Sequence, residues 1–142
     1  MKTIVIKKSE IENKWYLIDA KDQILGRISS KVASILQGKH KADFSTNMDT
    51  GDNVVLINAG EVKLSGKKEN DKTYFRPSSY PGNQKVISFS KAKEKDPTFP
   101  VYHAIKGMLP KNSRGRQLIK KLHVYKDGTH PHQAQKPETI SV

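Results

Sequence analysis

WYLIDA (residues 15–20) opens the stretch of sequence that decides the fold, which runs on to residue 57. Its aromatic and β-branched residues, bounded by lysines, predict a buried strand. From Leu25 to Leu36, apolar residues recur every three or four positions, and Gly38 follows where a left-handed C-terminal cap is placed, which predicts a helix. The apolar run VVLI (residues 54–57) predicts a second strand, buried on both faces. This order implies a right-handed crossover and a parallel strand pair.

The rest of the chain holds shorter elements, and weak strands are predicted near residues 62–64, 73–75 and 86–89. Asp96 and Pro97 predict a helix start, Pro100 is expected to delay the helix to about Val101, and Pro110 ends it. Apolar residues between 118 and 122 predict another short helix.

Together these elements predict an α/β fold, with a small parallel sheet covered by helices. The length of 142 residues suits one domain, which we place at residues 1–126. Residues 127–142 contain turn residues and few apolar ones, so an extended C-terminal tail that packs on the domain or on RNA is predicted.

The chain is strongly basic, with 26 Lys and Arg against 14 Asp and Glu, a net charge of +12 and a pI near 9.8. Such a charge is typical of a protein that binds a polyanion, either nucleic acid or an acidic membrane. Residues 1–60 hold 9 cations and 7 acids, whereas residues 61–142 hold 17 and 7. The second half is therefore expected to make most of the phosphate contacts.

The absence of cysteine excludes disulfides, thiolate metal sites and cysteine nucleophiles, and it fits a reducing, cytosol-like compartment. Near the N-terminus only residues 4–6 are consecutively apolar, and no later run approaches the roughly 18 apolar residues that span a bilayer. Secretion and membrane insertion are therefore not expected.

The strongest local signal is the segment at residues 111–126, KNSRGRQLIKKLHVYK, with six Lys or Arg and no acid. Arg114 and Arg116 offer two guanidinium groups around Gly115, a residue that lets backbone approach closely, which suits RNA phosphates and stacked bases. A solvated basic face is the alternative, and the lack of acids favours RNA. The cations of GKHK (residues 38–41) either bind phosphate or complement the helix dipole, and their charge alone does not separate these roles.

Two aromatic residues, Tyr74 and Phe75, stand directly before Arg76, and Tyr80 follows in a loop rich in proline and glycine. This pattern favours stacking on unpaired bases. Tyr74 and Phe75 are alternatively core residues, and an alternating strand would bury one and expose the other.

Other chemistries are less well supported. Gly26 stands alone without G-x-G-x-x-G spacing, so it indicates close packing and no nucleotide cofactor is predicted. His130 and His132, with His123 nearby, lack the carboxylate neighbours or helical spacing of a metal site. Asp49 and Asp52 favour a turn over paired catalytic carboxylates, and no spacing matches a nucleophile elbow, so no enzyme is predicted.

Several segments together resemble the universal large-subunit ribosomal protein of the L-thirteen family, in its bacterial or organellar form. The resemblance runs nearly end to end. It is carried by WY and DA at residues 15–20, LGR (25–27), GKHK (38–41), DTGD (49–52) with NA (58–59), YPG (80–82), KGMLPKN (106–112), GR (115–116), LHVY (122–125), HPH (130–132) and AQ (134–135). The loop around Tyr80 departs from the family pattern, with Pro77, Ser79 and Asn83 in place of a histidine and further glycines.

The resemblance implies a three-layer α/β domain with a small, mainly parallel sheet flanked by helices and an extended C-terminal tail. It also implies binding to large-subunit ribosomal RNA during early assembly, neighbouring large-subunit proteins as partners, and a place on the cytoplasmic ribosome, or an organellar one if a transit segment was removed. No cofactor, metal, small-molecule substrate or membrane is expected. The rival functions are a nucleotide-dependent enzyme on a Rossmann-like sheet and a free-standing regulatory RNA-binding protein.

The expected RNA contacts are mainly electrostatic and shape-reading, and none is catalytic. They are Lys39, His40, Lys41, Arg76, Tyr80, Lys106, Lys111, Arg114, Arg116, Lys120 and Lys121.

Overall fold

The structure, a computed structural model, describes residues 7–141, without the side chain of Lys8. The apolar residues 4–6, for which no membrane segment is predicted, lie outside the described residues. No helix within residues 7–141 is long and apolar enough to cross a membrane.

Eleven helices and strands follow one another along the described chain. They are β1 (Trp15–Asp19), α1 (Leu25–Gln37), β2 (Asn53–Ile57), α2 (Lys68–Asp71), β3 (Thr73–Arg76), β4 (Lys85–Ser88), α3 (Phe89–Lys95), α4 (Phe99–Met108), α5 (Ser113–Leu118), β5 (Leu122–Val124) and β6 (Glu138–Ile140). Short 3-10 turns lie at Lys8–Glu10, Ala59–Glu61 and Ile119–Lys121.

The predicted strand, helix and parallel strand are confirmed in β1, α1 and β2. Trp15 pairs with Asn53 at the start of the parallel register. The apolar face of α1 is buried, and Gly38 ends the helix in the left-handed conformation with φ +78°. Gly26, in contrast, is exposed, and beyond its own helix backbone and chain neighbours no atom lies within 4 Å of where a Cβ would be, so its interpretation as a close-packing residue is wrong.

The four-stranded sheet has the order β5-β2-β1-β6, and every neighbouring pair is parallel. From β1 to β2 to β5 the chain moves in one direction across the sheet, and from β5 to β6 it returns. Right-handed crossovers therefore place the helices on one face and residues 125–137 on the other. Ile18, Val54 and Leu56 form the core with α1 and α4 on the helical face.

The opposite face lies beneath residues 125–137. Val55 is fully buried but lies outside the helical core, and its neighbour in the sheet is His123. His132 contacts both His123 and Trp15, which places the returning segment over this face. The α/β fold is thus confirmed, with an irregular segment as the layer opposite the helices.

The end of the predicted tail contains a strand that the sequence does not predict. Residues 138–140 form β6, and Tyr16 of β1 pairs with Glu138. A strand with only one large apolar residue gives a weak signal, because an edge strand needs little burial. β6 therefore ties the end of the chain to the sheet.

The smaller elements agree in part with prediction. β3 and β4 form an antiparallel hairpin in the predicted places, whereas the strand predicted near residues 62–64 is a single bridge between Lys63 and Ile24. The helix expected from about Val101 begins two residues earlier, at Phe99, because Pro100 fits the first helical turn, where no backbone N–H is needed. Leu122 belongs to β5 rather than to a helix.

Candidate nucleic-acid interface

A basic surface runs from the end of α4 through α5 to the following 3-10 turn. Lys106, Lys111, Arg116 and Lys120 are exposed on it, and Arg114 is half-buried with its Nε lacking a hydrogen-bond partner. Among the described residues none of these five cations forms an ion pair. Their charges are therefore available to an external anion.

The turn that presents these cations depends on contacts within the protein. The Asn112 side chain caps α5 by accepting a hydrogen bond from the Gly115 backbone N–H at 2.9 Å. A Cβ on Gly115 would lie 1.7 Å from the carbonyl oxygen of Pro110. The close backbone approach predicted for Gly115 therefore serves the packing of the chain on itself, and the neighbouring guanidinium groups remain the candidates for RNA.

A second group of cations surrounds the segment from Asp49 to Asp52. Asp52 is fully buried, and its Oδ1 accepts hydrogen bonds from the Lys14 backbone N–H at 2.8 Å and from Lys41 Nζ at 2.6 Å. His40 Nε2 lies 2.8 Å from Asp52 Oδ2, within ion-pair distance but without hydrogen-bond alignment. Lys121 Nζ donates to Asp49 Oδ1 and to the Gly51 carbonyl, both at 2.8 Å.

These contacts change the expected roles of three predicted RNA-binding residues. His40, Lys41 and Lys121 each have a carboxylate partner inside the protein, and the side chains of Lys41 and Lys121 are only 21% and 17% exposed. The sequence left open whether the GKHK cations bind phosphate or complement the helix dipole. Two of them, His40 and Lys41, instead contact the buried Asp52. Lys39 remains exposed and has no ion pair in the described chain.

The acids of this polar cluster were not recognised from the sequence as partners of the lysines. Lys121 lies 72 positions from Asp49, and only the fold brings them together. The sequence held one signal: Asp52 stands directly before the buried strand β2, where an acid needs a counter-charge.

The β3–β4 hairpin holds the remaining predicted residues, Arg76 and Tyr80. Both are exposed, and Tyr80 is 74% accessible. The predicted alternation along β3 is confirmed, since Tyr74 packs against Phe99 with ring centroids 5.2 Å apart, whereas Phe75 is 59% exposed. The structure thus joins the GKHK segment to the 111–126 segment through Asp49–Asp52, and it presents the hairpin as a separate surface.

A histidine cluster lies on the sheet face beneath residues 125–137. Trp15 stacks on His123 with centroids 5.5 Å apart, His132 lies 4.4 Å from His123, and the Tyr125 hydroxyl lies 2.8 Å from His132 Nε2. Within the described residues, no three His, Asp or Glu side chains are placed to hold a metal ion. The ring contacts of His132 with Trp15 and His123 pack the returning segment against the sheet.

Stability is expected to fall as pH decreases below about 6.5, in part because of His123. Burial lowers the pKa of His123 below its usual 6.5, and the nearby imidazole of His132 lowers it further. The unfolded chain then binds a proton more readily than the folded one, so stability is lost as pH falls from 6.5 toward the folded pKa. Urea unfolding followed by the fluorescence of the single tryptophan measures this.

His123→Gln is the matched variant for this pH dependence, since it removes the titrating group and keeps a polar side chain. Its unfolding midpoint should vary less with pH than that of the wild type. An unfolding midpoint that varies equally with pH in the variant and the wild type would contradict the role of His123.

Comparison with known proteins places the chain among relatives of similar length. Residues 13–131 match the family described as Ribosomal protein L13. The large ribosomal subunit protein uL13 of Caldanaerobacter subterraneus is 50% identical over 142 residues, which cover all of this chain and 99% of the relative. The uL13 protein of Dictyoglomus thermophilum is 49% identical over 142 residues, 100% of both chains. That of Listeria innocua is 54% identical over 140 residues, 99% of this chain and 97% of the relative.

Proposed function

Because this chain belongs to the ribosomal protein L13 family, we propose that it is a structural constituent of the large ribosomal subunit that binds ribosomal RNA. The family match confirms the resemblance drawn from the sequence. The observation that carries RNA binding is the basic surface of residues 106–120, whose five cations have no acidic partner in the described chain. Such a surface neutralises phosphates without any catalytic group, so the role is structural.

The geometry divides the predicted contacts into two groups. The direct contacts that we propose are Lys39, Arg76, Tyr80, Lys106, Lys111, Arg114, Arg116 and Lys120. We assign His40, Lys41 and Lys121 mainly to the internal support of the surface, because their side chains already contact Asp49 or Asp52. Neighbouring large-subunit proteins are proposed as further partners, on the bacterial ribosome in the cytoplasm.

Sedimentation of a lysate through a sucrose gradient tests this function, with the protein detected in each fraction before and after a high-salt wash. An integral ribosomal protein stays with the large subunits through the wash. A pool that is mostly free of subunits in a gently prepared lysate would instead support a free-standing regulatory RNA-binding protein.

Replacing both arginines of α5, Arg114→Ala with Arg116→Ala, should weaken RNA binding and reduce its salt dependence. The plot of log K against log salt has a negative slope, and each lost phosphate contact makes it less steep by about 0.7 to 0.9. Filter binding to large-subunit ribosomal RNA at several salt concentrations measures the slope, and circular dichroism should show that the domain stays folded.

The matched control removes the same charge from α3, through Lys91→Ala with Lys95→Ala, since both lysines are exposed and lie outside the proposed surface. Its slope should stay close to that of the wild type. If the salt dependence of RNA binding decreases equally in the two double variants, net charge rather than this surface determines binding.

A further inference from the structure

The β3–β4 hairpin concentrates exposed apolar side chains. The described residues contain seven large apolar side chains that are exposed, and four of them lie here: Phe75, Tyr80, Val86 and Ile87. Phe75 and Val86 face each other across the two strands, and they are 59% and 62% exposed. An exposed apolar cross-strand pair on a basic protein indicates a binding surface rather than a core.

The charges of the hairpin indicate an anionic ligand. Residues 72–88 contain three Lys or Arg and no acid. Arg76 and Lys85 stand directly opposite each other in the strand register, where like charges destabilise a sheet. Together with Tyr80 and Asn83 they line an open cleft of about 460 Å³. A phosphate between Arg76 and Lys85 would relieve their repulsion.

The hairpin is anchored from behind, so its outer face is held in place. Tyr74 on the inner face packs edge-on against Phe99 and His103, with ring centroids 5.2 and 5.3 Å away. Because side chains alternate along a strand, this anchoring directs Phe75 outward and places Arg76, with its partner Lys85, on the face of Tyr74. A preorganised aromatic surface loses little entropy when a ligand binds.

The basic surface of residues 106–120 differs in one respect, since that stretch contains no Phe, Tyr or Trp. Cations alone suit the phosphate backbone of helical RNA, whereas exposed aromatic rings beside cations suit unpaired bases. We propose that the β3–β4 hairpin binds unpaired nucleotides, with Tyr80 stacking on a base beside the phosphate-binding pair Arg76 and Lys85. Phe75 stacks on a second base at the opposite face of the hairpin. This proposal rests on the RNA-binding function above and assigns the two surfaces to different RNA structures.

The double variant Phe75→Leu with Tyr80→Leu tests the proposal, because it keeps apolar bulk and removes the aromatic faces. Its matched control is Phe44→Leu with Tyr102→Leu, two aromatic residues outside the hairpin that are 39% and 37% exposed. Binding is measured by fluorescence anisotropy to a labelled oligouridylate of about 12 nucleotides and to a duplex RNA of about 16 base pairs.

The hairpin variant should bind the oligouridylate at least about fivefold more weakly, with an unchanged salt slope, because stacking releases no counterions. Its affinity for the duplex, and both affinities of the control variant, should match the wild type. Unchanged binding of oligouridylate, or equal losses on both RNAs, would overturn the proposal while leaving the proposed function standing.

Two further outcomes separate the alternatives. A hairpin variant that keeps both RNA affinities but no longer sediments with large subunits would overturn the proposal and assign the hairpin to a protein neighbour. Wild-type protein that binds neither RNA and sediments free of subunits would overturn the proposed function, and this inference with it.

Discussion

Gly115→Ala is expected to destabilise the protein by about 3 kcal/mol, because the new methyl group has no space. The added Cβ would lie 1.7 Å from the carbonyl oxygen of Pro110 and 2.8 Å from its carbonyl carbon. Both are backbone atoms, so no side-chain rotation relieves the clash, and α5 must move away from the end of α4. Urea unfolding followed by tryptophan fluorescence measures the loss.

Gly107→Ala provides the control for this prediction. Gly107 lies in α4, and beyond its own helix backbone and chain neighbours no atom lies within 4 Å of the place that a Cβ would occupy. Alanine also has a higher helix propensity than glycine. This variant should be as stable as the wild type or slightly more stable. If Gly115→Ala unfolds at the same urea concentration as Gly107→Ala, the close packing of α5 on Pro110 is not what holds the basic turn.

Asp52→Ala should cost about 3–5 kcal/mol in the free energy of unfolding, since it removes the acid at the centre of a buried polar cluster. The Lys14 backbone N–H would lose its hydrogen-bond acceptor, and His40 would lose its contact with the carboxylate. Lys41 Nζ would lose one of its two acceptors and keep only the Glu12 carbonyl oxygen. Leaving such groups unsatisfied costs more than an exposed pair contributes. Thermal unfolding by circular dichroism measures the effect.

Glu61→Ala is the contrasting variant, because Glu61 pairs with Lys21 at 3.6 Å with both side chains more than half exposed. An exposed pair of this kind contributes less than about 1 kcal/mol. Similar melting temperatures for Asp52→Ala and Glu61→Ala would show that the buried cluster does not stabilise the fold.

The β1–α1–β2 unit was predictable because its signals are local. The apolar residues of α1 recur every three or four positions, and the left-handed Gly38 ends the helix, so both signals lie within one short segment. The continuous apolar run of β2 indicates a buried strand in the same local way. β6 was not predictable, since Thr139 and its neighbours lie at the edge of the sheet and their pairing with β1 depends on the return of residues 125–137 across the opposite face.

The candidate site shows the same division between local and distant causes. That one of Tyr74 and Phe75 is exposed follows from strand alternation, and the sequence predicted it. Which of the two faces outward depends on the packing of Tyr74 against Phe99, and this the sequence did not predict. The internal roles of Lys41 and Lys121 depend on which acids the fold places beside them, and a count of charges contains no such information. The basic residues therefore predicted a polyanion as the ligand, but they did not distinguish cations without an acidic partner from those that contact Asp49 or Asp52.

The position of β6 also determines when the sheet can be completed. Tyr16 pairs with Glu138, 122 positions later, so β1 meets its second neighbour only after the residues between them have been synthesised. Pairings this distant raise the contact order and slow folding, because a long loop must close before they form. A nascent chain can assemble β1, α1 and β2 early, but one side of β1 remains an open template for another strand until residues 138–140 have been synthesised. The four-stranded sheet is thus completed only after β6 has left the ribosome that makes it.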